Sequence, residues 1–192
     1  MRTGTVTRNT KETSISITVD LDGGVVSIDT GIGFFDHMLT AFAVHGGFGL
    51  TVKAVGDLHV DCHHTIEDTG IVLGKAFDMA LGDKAGIARF GSFYVPMDEA
   101  LAFCSLDISG RPFLVFDAIF PEERMGGYDS CMTEEFMRAF AYNCGVTLHI
   151  RSCYGKNTHH ITEAIYKAVA HAMRLAVATN GTNQPLSTKG VL

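Results

Sequence analysis

The segment DCHHTIE at residues 61–67 returns as NTHHITE at residues 157–163, so His-His-x-x-Glu occurs twice. The two copies are 96 residues apart, counted from His63 to His159 (159 − 63). Each copy is followed by apolar residues with helical spacing. A repeat inside one chain indicates that a structural unit has been duplicated. The sequence therefore predicts two similar halves with one such motif in each.

The repeat extends upstream of both motifs. The segment FDHMLTAFA at residues 35–43 aligns with TEEFMRAFA at residues 133–141. Alternating, strand-like runs follow at 50–55 and 146–150, and earlier ones occur at 15–20 and 102–107. Each half reads strand, strand, helix, strand, helix, with the boundary between residues 81 and 91. We expect helices around residues 34–45, 64–81, 133–143 and 159–178.

These elements predict the α/β (α+β) class, with central helices covered by a sheet from each half. We expect one catalytic domain over residues 1–192, made of repeats at about 1–90 and 91–178. The tail at 179–192 contains Gly181, Asn183 and Pro185, and this composition favours a loop.

Composition excludes several classes of protein. The net charge of −6 and the pI near 5.8 argue against nucleic-acid binding, which needs clustered basic residues. Neither a signal peptide nor a membrane-spanning run is evident, so a cytoplasmic location is expected. The five cysteines include no CxxC spacing, and we expect them to be reduced and structural.

The paired histidines point to metal binding. On a helix, His63 and Glu67 are four residues apart and share a face, while His64 and Glu67 are also neighbours. Under the duplication His63 exchanges with His159, His64 with His160, Glu67 with Glu163, and His37 with Glu135. This exchange predicts two equivalent sites with three or four protein ligands each. Imidazole and carboxylate ligands suit Mn, Fe, Co, Ni or Zn, and spacing does not choose among them.

From about Arg8 to Leu192 the chain resembles the imidazoleglycerol-phosphate dehydratase family. The resemblance is carried by GIGFFDHML at 31–39, DCHHTIED at 61–68, LDISGRP at 106–112, NTHH at 157–160 and STKG at 187–190. It implies a fold like domain 2 of ribosomal protein S5. It also implies a homo-oligomeric shell of 24 subunits with the active sites between subunits. No nucleic-acid or membrane partner is expected, for the reasons of charge and hydropathy given above.

The resemblance implies two Mn²⁺ ions per active site. One would be held by His37, His64, His159 and Glu163, and the other by His63, Glu67, His160 and Glu135. Many family members carry histidine at position 135, so Glu135 is a departure. Its neighbour Glu134 is the alternative ligand.

The resemblance also implies the reaction. D-erythro-imidazole glycerol phosphate would lose water to give imidazole acetol phosphate in histidine biosynthesis, through an imidazolate stabilised by the two Mn²⁺ ions. Glu12 and His45 are the acid/base candidates. The implied substrate contacts are Glu12, His37, His45, His63, Glu67, Arg89, Arg111, His159, Lys167, Ser187, Thr188 and Lys189. The tail from residue 179 is expected to order over bound substrate.

Two other functions remain open from the residues alone. A two-metal hydrolase would use the same ligands to activate water, and a metal-storage shell would bind metal without turnover. Asp98 and Glu99 resemble a glycosidase pair, but consecutive strand residues face opposite ways, so an indirect or structural role is expected. We expect His171 to be structural or exposed, and residues 154–157 to form a turn or a helix cap.

Overall fold

The computed structural model of the chain describes residues 2–190, which form four helices and ten strands. Met1, in the first predicted repeat, and Val191 and Leu192, in the predicted tail, lie outside the described residues. The helices are α1 (Gly33–Gly46), α2 (His63–Leu81), α3 (Met132–Cys144) and α4 (Thr158–Val177). Each of the four predicted helices is found, with its ends within one residue of the prediction.

The strands form two four-stranded sheets and a small hairpin. The first half contributes β1 (Thr3–Asn9), β2 (Thr13–Asp20), β3 (Val26–Asp29) and β4 (Gly49–Gly56). The second half contributes β5 (Phe90–Met97), β6 (Ala100–Asp107), β7 (Phe113–Asp117), β8 (Arg124–Met125), β9 (Tyr128–Asp129) and β10 (Thr147–Tyr154).

The two large sheets have the same topology. The strand orders are β1-β2-β4-β3 and β5-β6-β10-β7. In each, the first three strands are antiparallel and the last is parallel to its neighbour. Every second residue of β2 and β6 is buried, so one face of each sheet packs inward. The predicted mixed α/β class is confirmed.

The helices lie between the two sheets. Helix α2 packs against β1 and β2, and α4 packs against β5 and β6. The helices of the two halves meet in pairs, α2 with α3 and α1 with α4. The second pairing matters for function because it brings α1 beside the start of α4.

Close approach of α2 and α3 depends on Gly70 and Gly74. A Cβ atom at Gly74 would stand 2.6 Å from the carbonyl oxygen of Phe140. At Gly70 it would stand 2.8 Å from the carbonyl oxygen of Phe136. Both distances are well inside normal contact, so this helix interface has no room for side chains at these two positions.

The predicted order of elements was incomplete. The first half has three strands before its first helix, and the second half adds the β8–β9 hairpin. Strand β3 has four residues and β8 and β9 have two each, which is too short for an alternating pattern to stand out.

Membrane-spanning helices and disulfides are both missing from the described part of the chain. None of the helices in residues 2–190 has the length and apolar character needed to cross a bilayer. The five cysteines are all free, as expected. Cys131 and Cys153 are exposed, so the expectation that all five are structural was wrong for these two.

Candidate metal centre

The second His-His-x-x-Glu motif forms the first turn of α4. Asn157 caps this helix, and its Oδ1 accepts hydrogen bonds from the backbone N–H groups of His159 and His160 at 2.9 and 3.4 Å. The predicted cap is therefore confirmed. Since the motif starts the helix, His159 and Glu163 share a face, and His160 points elsewhere.

Three predicted ligands converge where α1 meets α4. The Oε2 atom of Glu163 lies 3.2 Å from Nε2 of His159 and 3.3 Å from Nε2 of His37. The ligand atoms all lie within 4.8 Å of one another, and no other group of three or more such residues does so within residues 2–190. Phe34 packs edge-on against both imidazoles, with ring centroids 5.0 Å from His159 and 6.4 Å from His37. This geometry can hold a cation.

Lys167 stabilises the negative charge of Glu163 in this cluster. It lies one turn after Glu163 on α4, and its Nζ atom is 2.6 Å from Oε1 of that residue. Burial raises the pKa of the Glu163 carboxyl, but the hydrogen bond and charge of Lys167, with help from His37, outweigh burial and leave the pKa below its usual value. The carboxylate is therefore ionised and available to a metal.

The first motif forms the start of α2, and its histidines point in different directions. Oδ1 of Asp61 accepts a hydrogen bond from the backbone N–H of His63 at 2.7 Å. Nε2 of His63 is 3.4 Å from Oε2 of Glu67. His64 turns towards Asp57, whose carboxylate oxygens lie 3.0 and 3.2 Å from its Nδ1. Oε2 of Glu12 is 3.9 Å from the same nitrogen.

The hydrogen bond to Asp57 raises the pKa of His64 and lowers the pKa of Asp57. His160 has a similar arrangement in the second motif. Its Nδ1 is 2.7 Å from Oε2 of Glu99. Oε1 of Glu99 accepts hydrogen bonds from the backbone N–H groups of Lys156 and Asn157 at 3.1 and 2.8 Å. The bonds from His160 and then from this backbone lower the pKa of Glu99 to about 2.

Three of the four residues in the first predicted ligand set lie together. His37, His159 and Glu163 come together, while His64 belongs to the separate contact with Asp57. In the second set only His63 and Glu67 are in contact. The reason is packing: the motifs lie on α2 and α4, and these helices contact different partners.

Glu135, the remaining member of the second set, pairs with Arg138. Its Oε2 is 3.6 Å from Nε of Arg138. The alternative ligand Glu134 also forms an ion pair with Arg138. Both acidic residues thus face the same guanidinium in this chain.

The predicted phosphate contacts fall into two groups. Lys167 lies beside Glu163, in the cluster of candidate ligands. Arg89, in contrast, binds Asp107 through Nε and Nη2 at 2.6 and 3.0 Å. Arg111 is more exposed, with Nη2 3.8 Å from Asp107. Nη1 of Arg89 also donates to the carbonyl oxygen of Leu186 at 2.6 Å, next to the predicted Ser187, Thr188 and Lys189. Arg89 therefore connects the tail to Asp107, the last residue of β6.

The tail has further anchors on the loop before β5. The backbone N–H of Asn180 donates to the carbonyl of Gly86, and the N–H of Gly86 donates to the carbonyl of Gln184. Nδ2 of Asn180 donates to the carbonyl of Ile87 at 2.9 Å. As predicted, no helix or strand forms within residues 179–190 beyond a single bridge from Thr179.

His45, an acid/base candidate, ends α1 beside α4. Its Nδ1 is 3.3 Å from Nε2 of His171, whose ring stacks on Phe93 at 4.4 Å between centroids. Burial, followed by the charge of Lys167, lowers the pKa of His45. Burial also lowers the pKa of His171, with His45, Arg174 and Lys167 adding to the effect. Both rings are therefore neutral at neutral pH.

Comparison with known proteins identifies the family. Residues 30–173 match the family model described as imidazoleglycerol-phosphate dehydratase. The chain belongs to this family. The imidazoleglycerol-phosphate dehydratase of Lacticaseibacillus casei (strain BL23) is 59% identical over 194 residues, covering 100% of both chains. The predicted resemblance is confirmed, and the family name is that of a hydro-lyase.

Two solved structures of imidazoleglycerol-phosphate dehydratases resemble this chain. The Staphylococcus aureus structure is 40% identical with a TM-score of 0.85, covering 93% of this chain and 99% of its own. The Pyrococcus furiosus structure is 37% identical with a TM-score of 0.86, covering 97% of this chain and 100% of its own. The fold is therefore that of imidazoleglycerol-phosphate dehydratases over nearly the whole chain.

Sequence reasoning missed Asp57 and Phe34 as neighbours of the predicted ligands. Asp57 follows β4 as one acidic residue in a loop, with no repeat or spacing to mark it. Phe34 belongs to a motif that carried the resemblance, but a phenylalanine at the start of a helix is far more often a core residue.

Proposed function

We propose that the chain is a cytoplasmic enzyme of histidine biosynthesis that dehydrates D-erythro-imidazole glycerol phosphate to imidazole acetol phosphate. The observation that carries this proposal is the cluster of His37, His159 and Glu163 in a member of this family. The buried carboxylate is ionised, and two imidazole nitrogens face one of its oxygens. Such a group is suited to a metal-assisted reaction.

Manganese fits the donors present. The cluster offers imidazole nitrogen and carboxylate oxygen without thiolate, a set that Mn²⁺ accepts. One ion would be held by His37, His64, His159 and Glu163, and the second by His63, Glu67, His160 and Glu135. When bound, the two ions would supply Lewis acidity at the imidazole ring of the substrate.

The chain itself supplies the groups for proton transfer. Glu12 places a carboxylate beside His64, and its side chain is 56% exposed, so it is free to approach a substrate. His45 is neutral and presents Nδ1 to His171, which leaves Nε2 to exchange a proton. One of these groups can take the proton from carbon while the other assists departure of the hydroxyl.

The dianionic phosphate would be held by basic and hydroxyl groups, as is usual in an acidic protein. The residues are Arg89, Arg111, Lys167, Ser187, Thr188 and Lys189. The hydrogen bond from Arg89 to Leu186 supports this assignment, because it fixes the tail segment beside a guanidinium. In this proposal the tail closes over the substrate.

Assembly into a shell of 24 subunits is part of the proposal. Three of the four ligands of the first set converge within one chain, and His64 stays apart. A neighbouring subunit would supply its own His64 to complete the set. This arrangement accounts for the exposure of about half of the His37 side chain, which stands at 50%.

The decisive experiment incubates the purified protein with imidazole glycerol phosphate and Mn²⁺, beside a chelator-treated sample. We expect imidazole acetol phosphate only in the presence of metal. Glu163→Gln should abolish product, and Asp117→Asn, on the outer face of the second sheet, should not. Release of inorganic phosphate would indicate a hydrolase, and metal uptake without product would indicate storage.

Metal counting tests the second ligand set separately. Glu135→Ala should lose about one equivalent of Mn²⁺ per subunit, measured by equilibrium dialysis, because one ligand set is broken. The matched variant Glu134→Ala should retain both equivalents. The reverse result would assign the ligand to Glu134.

A further inference from the structure

In both motifs the second histidine contacts a carboxylate that belongs to neither proposed ligand set. The second histidine of each, His64 and His160, has Nδ1 in hydrogen-bonding distance of a carboxylate. A carboxylate can only accept, so the proton resides on Nδ1 and the lone pair on Nε2. The other imidazoles of the proposed sets, including His37 and His159, also direct Nε2 towards a glutamate of a ligand set.

We propose that Asp57 and Glu99 are positioning residues that hold His64 and His160 with Nε2 directed to the metal. The inference rests on the proposed function. A carboxylate behind a ligating imidazole fixes the tautomer and the ring direction and makes the ligand more basic.

The geometry at Asp57 supports such a role. Both of its oxygens face Nδ1 of His64, and its side chain is only 16% exposed. A carboxylate held in this way cannot turn to the metal without breaking its bonds to the histidine. It therefore acts through His64.

Glu99 is held still more firmly. One oxygen accepts a hydrogen bond from Nδ1–H of His160. The other oxygen accepts hydrogen bonds from two backbone N–H groups of the residues just before α4. Asp98 lies on the opposite side of the ring, with Oδ2 3.6 Å from Nε2, beyond hydrogen-bonding distance. Nε2 of His160 is thus left for a ligand.

The two carboxylates come from different places in the duplicated fold. Glu99 lies in the turn between β5 and β6, and its counterpart in the first half is the turn between β1 and β2, which contains Glu12. There Glu12 stands 3.9 Å from His64, and Asp57 takes the hydrogen bond instead. Asp57 therefore leaves Glu12 free.

The test is a titration of the metal-free protein with Mn²⁺, following the electron paramagnetic resonance signal of the free ion. His64 and His160 belong to different proposed sites. Asp57→Asn should therefore weaken one of the two equivalents by about 10- to 100-fold, and Glu99→Gln the other, with the remaining equivalent unchanged. The control is Asp117→Asn, which removes an exposed carboxylate paired with Arg151 and belonging to neither motif nor either proposed ligand set.

Circular dichroism and thermal melting should be used to check that each variant is folded. Each variant on its own tests whether its carboxylate positions the histidine that it contacts. The inference is overturned if the variants titrate like the wild type, or if each loses both equivalents alike, as a general loss of structure would cause. Failure of the proposed function looks different, because the wild-type protein with Mn²⁺ would then form no imidazole acetol phosphate, whatever its metal titration.

Discussion

Replacing Lys167 with methionine tests the charge balance of the candidate metal site. Lys167 and Glu163 form an ion pair at 2.6 Å whose side chains are only 16% and 8% exposed. Removing one partner of a buried pair costs about 3 to 5 kcal/mol, because the other charge is left without compensation. Here His37 and His159 still contact the carboxylate, so we expect a loss of about 2 to 3 kcal/mol.

The assay is urea unfolding of the metal-free protein at a fixed concentration, with the free energy obtained by linear extrapolation. The control is Lys53→Met, whose ion pair with Asp29 is exposed by 63% and 59%. That variant should lose at most about 1 kcal/mol. Adding Mn²⁺ should reduce the loss in free energy of unfolding caused by Lys167→Met, because the metal cation then compensates the charge of the Glu163 carboxylate. Equal stabilities of the two variants would refute this reasoning.

Three further variants probe the helix interface, the half-buried His171 and the tail. Gly74→Ala should lower the free energy of unfolding by about 1 to 3 kcal/mol, since the new methyl would press on the Phe140 carbonyl. His171→Phe should make stability less sensitive to acid between pH 7.5 and 5.5, measured by urea unfolding. The pKa of His171 is lowered in the folded state, so the unfolded chain takes up the proton first and stability falls below about pH 6.5. Arg89→Lys should speed proteolysis of the tail about tenfold, because the charge-assisted hydrogen bond to Leu186 is worth about 1.5 kcal/mol.

Each of these predictions has a matched control. Gly33→Ala adds a methyl where nothing lies within 4 Å, so a comparable loss of stability there would contradict the packing argument. His149→Phe changes an exposed histidine and should keep the acid sensitivity of the wild type. Arg151→Lys alters an ion pair with Asp117 and should leave the rate of tail cleavage unchanged. Indistinguishable test and control variants would count against the assigned contact.

The helices and the local ligand pairs were predictable from sequence because both follow from helical periodicity. His159 and Glu163 share a face of α4 as their spacing requires. The Asn157 cap was predictable for the same reason, since it joins residues two and three positions apart.

Contacts between distant segments were not predictable in this way. His37 and Glu163 are 126 residues apart, and they meet because α1 packs on α4. The pairing of His64 with Asp57 depends on the path of a loop, which no periodic pattern describes. The backbone of Arg89, with φ of 71°, occupies a conformation that usually belongs to glycine, so no residue preference predicted this local conformation.

The β1–β2 turn with Glu12 and the β5–β6 turn with Glu99 differ, and this difference makes the two ends of the proposed site unlike. A protein built from two copies of one unit tends to present the same groups to both ends of a ligand. Imidazole glycerol phosphate, in contrast, has a ring at one end and a phosphate at the other. Because Glu99 is hydrogen-bonded to His160, whereas Glu12 lies 3.9 Å from His64, the two proposed metal positions would differ chemically. Divergence after duplication would thus give a nearly symmetric chain the asymmetry that its proposed substrate requires.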